Sequence, residues 1–373
     1  MLKDSSRVDL IAFYLPQYYP IPENDAWWGK GFTEWTNVAK AKPLFSGHYQ
    51  PHLPADLGFY DLRLSEVRQA QADLAKAYGI HGFCYYHYWF NGKRLLERPF
   101  NEVLASGEPD FPFCLCWANG SWSRRWDGFE QDILIQQVYS KEDDRLHMQW
   151  LAKAFQDPRY IRINGKPLFL VYRTAQIPKP LETAQTWREE ACRLGIGDIF
   201  LCKVESFPDE HGDPSSIGFD ASIEFQPDWT RLGLPLQRGR RWQLARKLGL
   251  AEQAYAENKI YEYSTVVEQM LVKPTPDYER FPCVTPSWDN TARRKEDATI
   301  LHNSTPEAYE SWLKAIVQNT LSNKFSDKIV FINAWNEWGE GNHLEPCQKW
   351  GHAYLEATRK VLIDSEITTN SKF

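Results

Sequence analysis

The chain has 373 residues, 43% of them hydrophobic and 25% charged. These ordinary globular proportions exclude a disordered, collagenous or coiled-coil description of the whole. Lys plus Arg number 43 against 49 Asp plus Glu, a formal charge of −6, so no global positive field draws nucleic acid to the protein. The length suits one large barrel or two ordinary domains. Aromatic content is the outlier, at 14% with 16 Trp, 18 Tyr and 20 Phe; such rings fill cores and also line concave ligand sites. Residues 1–9 hold no apolar run of the secretory kind, and no stretch approaches the ~18 apolar residues of a membrane span. Seven cysteines, an odd number, fit free thiols in a reducing compartment. A cytoplasmic location is the expectation.

In chain order, eight short apolar runs recur: 9–14 (DLIAFY), 82–86 (GFCYY), 113–117 (FCLCW), 167–172 (PLFLVY), 199–204 (IFLCKV), 221–225 (ASIEF), 283–286 (CVTP) and 329–334 (IVFINA). They are continuous rather than alternating, as strands covered on both faces must be. Helical spacing marks 61–78, which stops at Gly79, and 141–155, 181–194 and 306–321, the last capped by Ser304 or Thr305. Eight strands alternating with helices predict an α/β fold, a single (β/α)8 TIM barrel over residues 1–373. The competing layout, two doubly wound domains, lacks a Pro/Gly/Ser-rich linker near the middle. A bare barrel needs ~250 residues, so the surplus is expected as decoration of the C-terminal face, in insertions at about 15–57 and 226–280.

Barrel chemistry sits at strand C-termini and in the loops that follow. There the sequence places Tyr14 and Gln17, then Trp27, Trp28, Glu34 and Trp35; Tyr86, His87 and Trp89; Trp117, Asn119, Trp122 and Trp126; Trp288, Asp289 and Asn290; and Trp335, Asn336, Glu337, Trp338 and Glu340. Ten of the sixteen tryptophans thus fall on one rim. Aromatic faces beside Asn, Asp, Glu and His suit a polyhydroxylated ligand, whose C–H faces stack while its hydroxyls hydrogen-bond. The alternative is that tryptophan merely plugs the barrel top. Glu337 and Glu340 stand three apart. In a helical turn their Cβ atoms lie ~5–6 Å from one another, compatible with the ~5–5.5 Å carboxyl separation of retaining glycosidases. Alone, E-x-x-E is common on solvated helix faces; between Trp335, Asn336, Trp338 and Gly341 it reads as a catalytic pair.

The run Trp335-Asn336-Glu337-Trp338-Gly339-Glu340-Gly341, followed by Glu345-Pro346, resembles the catalytic motif of glycoside hydrolase family 99, the endo-α-mannosidases and endo-α-mannanases. Residues 13–18 (FYLPQY), 31–35 (GFTEW) and 288–291 (WDNT) resemble the WbsX-type branch of family 99-like proteins, which are associated with bacterial surface-polysaccharide synthesis and often labelled glycosyltransferases. The resemblance runs from about residue 8 to about residue 360. It implies a (β/α)8 barrel and a retaining mechanism. Glu337 would act as base on the substrate's own 2-hydroxyl, giving a 1,2-anhydro sugar, and Glu340 as general acid and then base. It also implies sugar-binding roles for Glu34, Tyr86, Trp89 and Asp289. Gly339 departs from the family, whose characterised hydrolases tend to have His there.

Other chemistries fare poorly. Glu340 and His343 form a single E-x-x-H interrupted by Gly341, Cys114 and Cys116 read as buried apolar thiols, and there is no phosphate-loop, dinucleotide or G-x-S-x-G motif and no D-x-D triplet. Neither metal nor cofactor is expected. The expected partner is an oligosaccharide or polysaccharide, lipid-linked or free, acted on by hydrolysis. A glycosyltransferase building a surface polysaccharide and a non-catalytic glycan-binding protein are the alternatives. One segment departs from the acidic background: residues 231–247 hold Arg231, Arg238, Arg240, Arg241, Arg246 and Lys247 and no acid. It reads as a solvated insertion helix or as a peripheral contact to anionic lipid.

Overall fold

The computed structural model describes residues 7–124, 129–294, 296–325 and 327–370. The eight apolar runs form the eight staves of one parallel barrel: β1 (Asp9–Tyr14), β2 (Ile80–Phe90), β3 (Phe113–Trp117), β4 (Lys166–Val171), β5 (Phe200–Val204), β6 (Ala221–Ile223), β7 (Arg280–Phe281 with Cys283–Val284) and β8 (Ile329–Ile332). β1 pairs with both β2 and β8, in registers Leu10↔Ile80 and Asp9↔Ile329, and every other strand pairs with its neighbours in sequence. The seventh stave is split because Pro282 has no N–H to give the ladder. Its first half pairs with β6 and its second with β8, so nine parallel segments make an eight-stave barrel. Pro282 still accepts from Phe331 N at 2.8 Å.

Helices wrap the strands, among them Ser65–Ala77, Arg98–Ser106, Lys141–Phe155, Pro180–Arg193, Tyr263–Leu271, Pro306–Ser322 and Ala353–Asn370. Successive strand residues face opposite sides, and this alternation sorts the aromatic residues. Phe13 points inward, where it meets Tyr86, Phe225 and Phe331, each at 5.6 Å between ring centroids. Tyr14 points outward, packs against Tyr85 with ring centroids 4.4 Å apart, and donates its hydroxyl to Gln71 Oε1 of helix Ser65–Ala77. The same alternation along β2 turns Tyr86 and Tyr88 inward and His87 and Trp89 outward.

Two connections leaving the C-terminal ends of strands are long. The β1 connection carries helices Pro22–Trp28 and Glu34–Val38; the β6 connection carries Arg240–Lys247 and Ala254–Glu257 before its barrel helix Tyr263–Leu271. Strand Lys259–Glu262 of the latter pairs with Thr299–His302 of the loop after β7, tying two rim loops together. No helix among the described residues is long and apolar enough to cross a membrane.

Gly82 in β2 shows how tightly the wall is packed. A Cβ there would sit 2.6 Å from Pro112 O and 2.9 Å from the Ile161 side chain. Gly82→Ala is expected to cost about 1–3 kcal/mol, read as a lowered denaturation midpoint; an unchanged midpoint would show that the wall yields.

Candidate active site

Beyond β8 the chain does not continue into a helix. Asn336–Glu337 pairs antiparallel with Asn342–His343, and Trp338–Glu340 closes the excursion as a single 3-10 turn. Gly341, at φ 55°, ends that turn, and a Cβ there would lie 3.0 Å from Asp289. Thus Glu337 lies on a strand and Glu340 on the turn, rather than both on an α-helical face. Tyr18 fastens the excursion from below: its hydroxyl donates to Asn336 O and accepts from Trp338 N.

The two glutamates meet on Arg293, from the short helical turn after β7. Its Nη2 lies 3.0 Å from Glu337 Oε2, its Nη1 2.6 Å from Glu340 Oε1, and its Nη2 and Nε lie 2.8 and 2.9 Å from Glu34 Oε2. Glu34 sits at the start of helix Glu34–Val38, whose Thr33 cap and Thr36 side chain form a reciprocal capping box. Loops after β1, β7 and β8 therefore converge on one guanidinium. Arg293, Glu34 and Glu337 are buried, while the Glu340 side chain is 22% exposed, which leaves it the approachable member.

One cation cannot neutralise three carboxylates. Burial, opposed by Arg293 and reinforced by Glu340 and Glu34, pushes the Glu337 carboxyl up to about 8. Burial also lifts Glu340, against the pull of Arg293. Both carboxyls therefore hold a proton more readily than an ordinary glutamate, and they titrate as a pair. Burial, with Tyr172 and Glu337 close by, keeps the Tyr86 phenol protonated; Tyr88 and Tyr172 are likewise raised, with Glu337 among the charges that act on each.

Gly339 follows from this packing. A Cβ at that position would lie 2.0 Å from Glu34 Oε2 and 2.8 Å from Arg293 Nε. The histidine that the resemblance leads one to expect cannot coexist with the Glu34–Arg293 pair where it stands.

The remaining site expectations divide. Glu34 and Tyr86 gather around the pair. Asp289 is close by: its N donates to Glu340 O at 2.6 Å, and its carboxylate holds His48 Nε2 at 2.6 Å and the Thr291 hydroxyl. Burial opposes that charge, but His48 keeps the Asp289 carboxyl below its ordinary range. Four expected sugar contacts, Tyr14, His87, Trp89 and Trp117, are corrected by the alternation of the strands and face the helix layer. His87 meets His147 at 3.0 Å, Trp89 donates to Asp143, and Trp117 packs on His147 and Trp187 while donating to Trp89 O.

Others spend their polar groups on the scaffold. Asn336 pairs with both backbone groups of Leu15, Asn119 with both of Arg173, Asn290 with Thr299 N, Trp35 with Tyr60 O, and Trp338 with Glu345. Trp335 is fully buried against Phe83, and Trp288, buried, packs on Trp229. Gln17 is buried, and its backbone O accepts from Glu34 N. Trp122 is half-buried against Trp27 and Tyr88, and Trp126 lies outside the described residues.

Sequence reasoning passed over Arg293 and Tyr88. The alternation that places Tyr86 would have found Tyr88. The need of three rim acids for a counterion would have pointed to the first cation after the WDNT run.

Residues 10–358 match the family model described as glycosyltransferase WbsX. The chain belongs to the WbsX family. Two curated relatives, both called uncharacterized protein WxcX and from two strains of Xanthomonas campestris pv. campestris, are each 45% identical over 362 residues. Those residues are 97% of this chain and 50% of each relative, so the chain spans about half the length of the curated relatives it matches. Among solved structures, the family 99 endo-alpha-mannosidase from Bacteroides thetaiotaomicron superposes with a TM-score of 0.59 at 17% identity, covering 99% of both chains. A glycoside hydrolase-like protein gives 0.57 at 13% identity, covering 97% and 95%. At such identities the likeness is one of fold: this WbsX-family chain has a glycoside hydrolase-like barrel.

A carboxyl raised in the folded state gives stability that is complete below its unfolded value and fades as pH climbs toward the folded one. For Glu337 that window runs from the ordinary glutamate value of 4.5 up to about 8. Glu337→Gln removes the loss. Its denaturation midpoint, relative to the parent, is expected to improve steadily from about pH 5 to about pH 8; a pH-independent difference would contradict the assignment.

Proposed function

We propose that this WbsX-family chain is a retaining, endo-acting α-glycoside hydrolase whose catalytic pair is Glu337 and Glu340. Its substrate is an α-mannan-type or related surface polysaccharide, free or lipid-linked. The observation that carries the reading is the convergence of both glutamates on Arg293 at the mouth of a glycoside hydrolase-like barrel.

The chemistry needs a base and an acid on adjacent groups, and environment supplies both. With its proton gone, Glu337 is a far stronger base than an ordinary carboxylate, because burial has raised it. It takes the proton of the sugar's 2-hydroxyl as that oxygen attacks the anomeric carbon. The bond from that carbon to the leaving sugar breaks, and the departing oxygen takes the Glu340 proton. Water then opens the 1,2-anhydro ring at the anomeric carbon, giving its proton to Glu340 while O2 recovers one from Glu337. Two inversions leave the configuration retained. Arg293 keeps the carboxylates in register and tempers their mutual repulsion, a positioning role.

The family description favours a second reading, a transferase that extends a surface polysaccharide from a nucleotide sugar. A glycan-binding protein without turnover is a third. Product analysis by mass spectrometry on α-linked oligosaccharides, with and without nucleotide sugars, separates them. Shortened or rearranged products without nucleotide are expected, with Glu337→Gln and Glu340→Gln each slowed by about 10²–10⁴-fold. On an α-glycosyl fluoride, whose leaving group needs no acid, Glu340→Gln should keep much of its formation rate and Glu337→Gln should not. Extension only with a nucleotide sugar would overturn the hydrolase reading, as would glycan binding that survives Glu340→Gln with no turnover in the parent.

A further inference from the structure

The β6–β7 connection carries a surface for which the catalytic pair has no use. In helix Arg240–Lys247 no residue is buried. Trp242, Ala245 and Arg246 form its more sheltered side, and Arg240, Arg241, Gln243, Leu244 and Lys247 its exposed side, as a 100° step per residue requires. Leucines stand in water all along the segment: Leu234 is 90% exposed, Leu244 59%, Leu248 63% and Leu250 76%. Two of the six cations are occupied in holding it together. Arg238 donates to Ala256 O and Asn258 O, and Arg246 to Gln237 O. Arg240, Arg241 and Lys247 have no acidic partner among the described residues.

We infer that this face, Arg240, Arg241, Leu244, Lys247 and Leu248 with Leu234 and Leu250 beside it, docks on an anionic lipid surface. Cations and leucines share one exposed side: against an anionic bilayer the long Arg and Lys stems keep their charges at the head groups while the leucines beside them reach the acyl boundary. A polyanion such as nucleic acid would use the charges and gain nothing from the leucines. A second copy would bring like charges together across a two-fold contact.

The surface is fixed to the catalytic rim. Trp229 packs on Trp288 at 5.0 Å, Leu236 N donates to Ile260 O, and Leu236 packs on a cluster of Phe45, Ala254, Tyr255, Ile260 and Ile300 drawn from the connections after β1, β6 and β7. Docking through it holds the barrel mouth beside the bilayer, where a glycan on a lipid carrier would be presented. The inference does not rest on the reading of Glu337 and Glu340.

Cosedimentation of the full chain with vesicles tests it, using phosphatidylcholine alone and phosphatidylcholine with one-third phosphatidylglycerol. Binding to the anionic vesicles is expected to exceed that to neutral ones by about tenfold or more, and to weaken as salt rises. Leu244→Ser with Leu248→Ser, and separately Arg240→Ala with Arg241→Ala, should each lose most of it with an unchanged circular dichroism spectrum, since these side chains are exposed. Equal behaviour on both vesicle types would overturn the inference. So would undiminished binding by the leucine variant, which would mark a general polyanion contact.

Discussion

Arg293 brings one positive charge into a buried space that also holds Glu34, Glu337 and Glu340, and that imbalance governs the chemistry of the site. Without the guanidinium, three carboxylates in such a space would repel one another and face an unpaid desolvation cost of several kcal/mol each. With it, burial still outweighs the single cation, so both carboxyls of the pair stay raised. The surroundings follow from the same need. Gly339 leaves room for the Glu34–Arg293 pair, Gly341 lets the turn pass close to Asp289, and the Asn336–Leu15 pairing sets the turn on the end of β1. The barrel matters because it alone brings residues 34, 293 and 337 to one point.

The strands were legible because most are near-continuous apolar runs, interrupted only by single polar residues such as Lys203 and Ser222. Even the split of the seventh is foretold by Pro282 once the missing N–H is counted. The site was legible in part. Glu337 and Glu340 stand out through their local company, and Glu34 through its motif. Arg293 stands out less, because its partner Glu34 is 259 positions away and only its place just after the WDNT run hints at it. The tryptophan-rich rim misled for a different reason. A residue at the end of a strand can face the barrel interior or the helix layer, and only the period of two decides which. Counting from inward Phe13 and Tyr86 turns Tyr14, His87 and Trp89 away from the mouth. The short hairpin after β8 was not legible at all: three-residue spacing fits an α-helical turn as well as the 3-10 turn found between two paired strand ends.

The hydrolase-like fold and the family's transferase description need not point to different machinery. Both reactions cleave a bond at an anomeric carbon and need the positive charge that develops there stabilised; a departing sugar also needs an acid, whereas a departing nucleoside diphosphate does not. What separates them is the acceptor, water or a sugar hydroxyl, and that depends on how the mouth admits water more than on the pair itself. Glu340, with its side chain 22% exposed, is the more approachable of the two carboxyls.

That burial lifts the Glu337 and Glu340 carboxyls above their ordinary range, against the pull of one arginine, is tested most directly by ¹³C-NMR titration of glutamate side-chain carboxyls. Spectra of the parent, Glu337→Gln and Glu340→Gln would assign the two signals, and Arg293→Met would then be titrated alongside. Both signals should titrate above ordinary glutamates, and in Arg293→Met both should move higher still as their counterion is lost. Signals that titrate near 4.3–4.5, where exposed glutamates do, or that ignore the loss of Arg293, would contradict it.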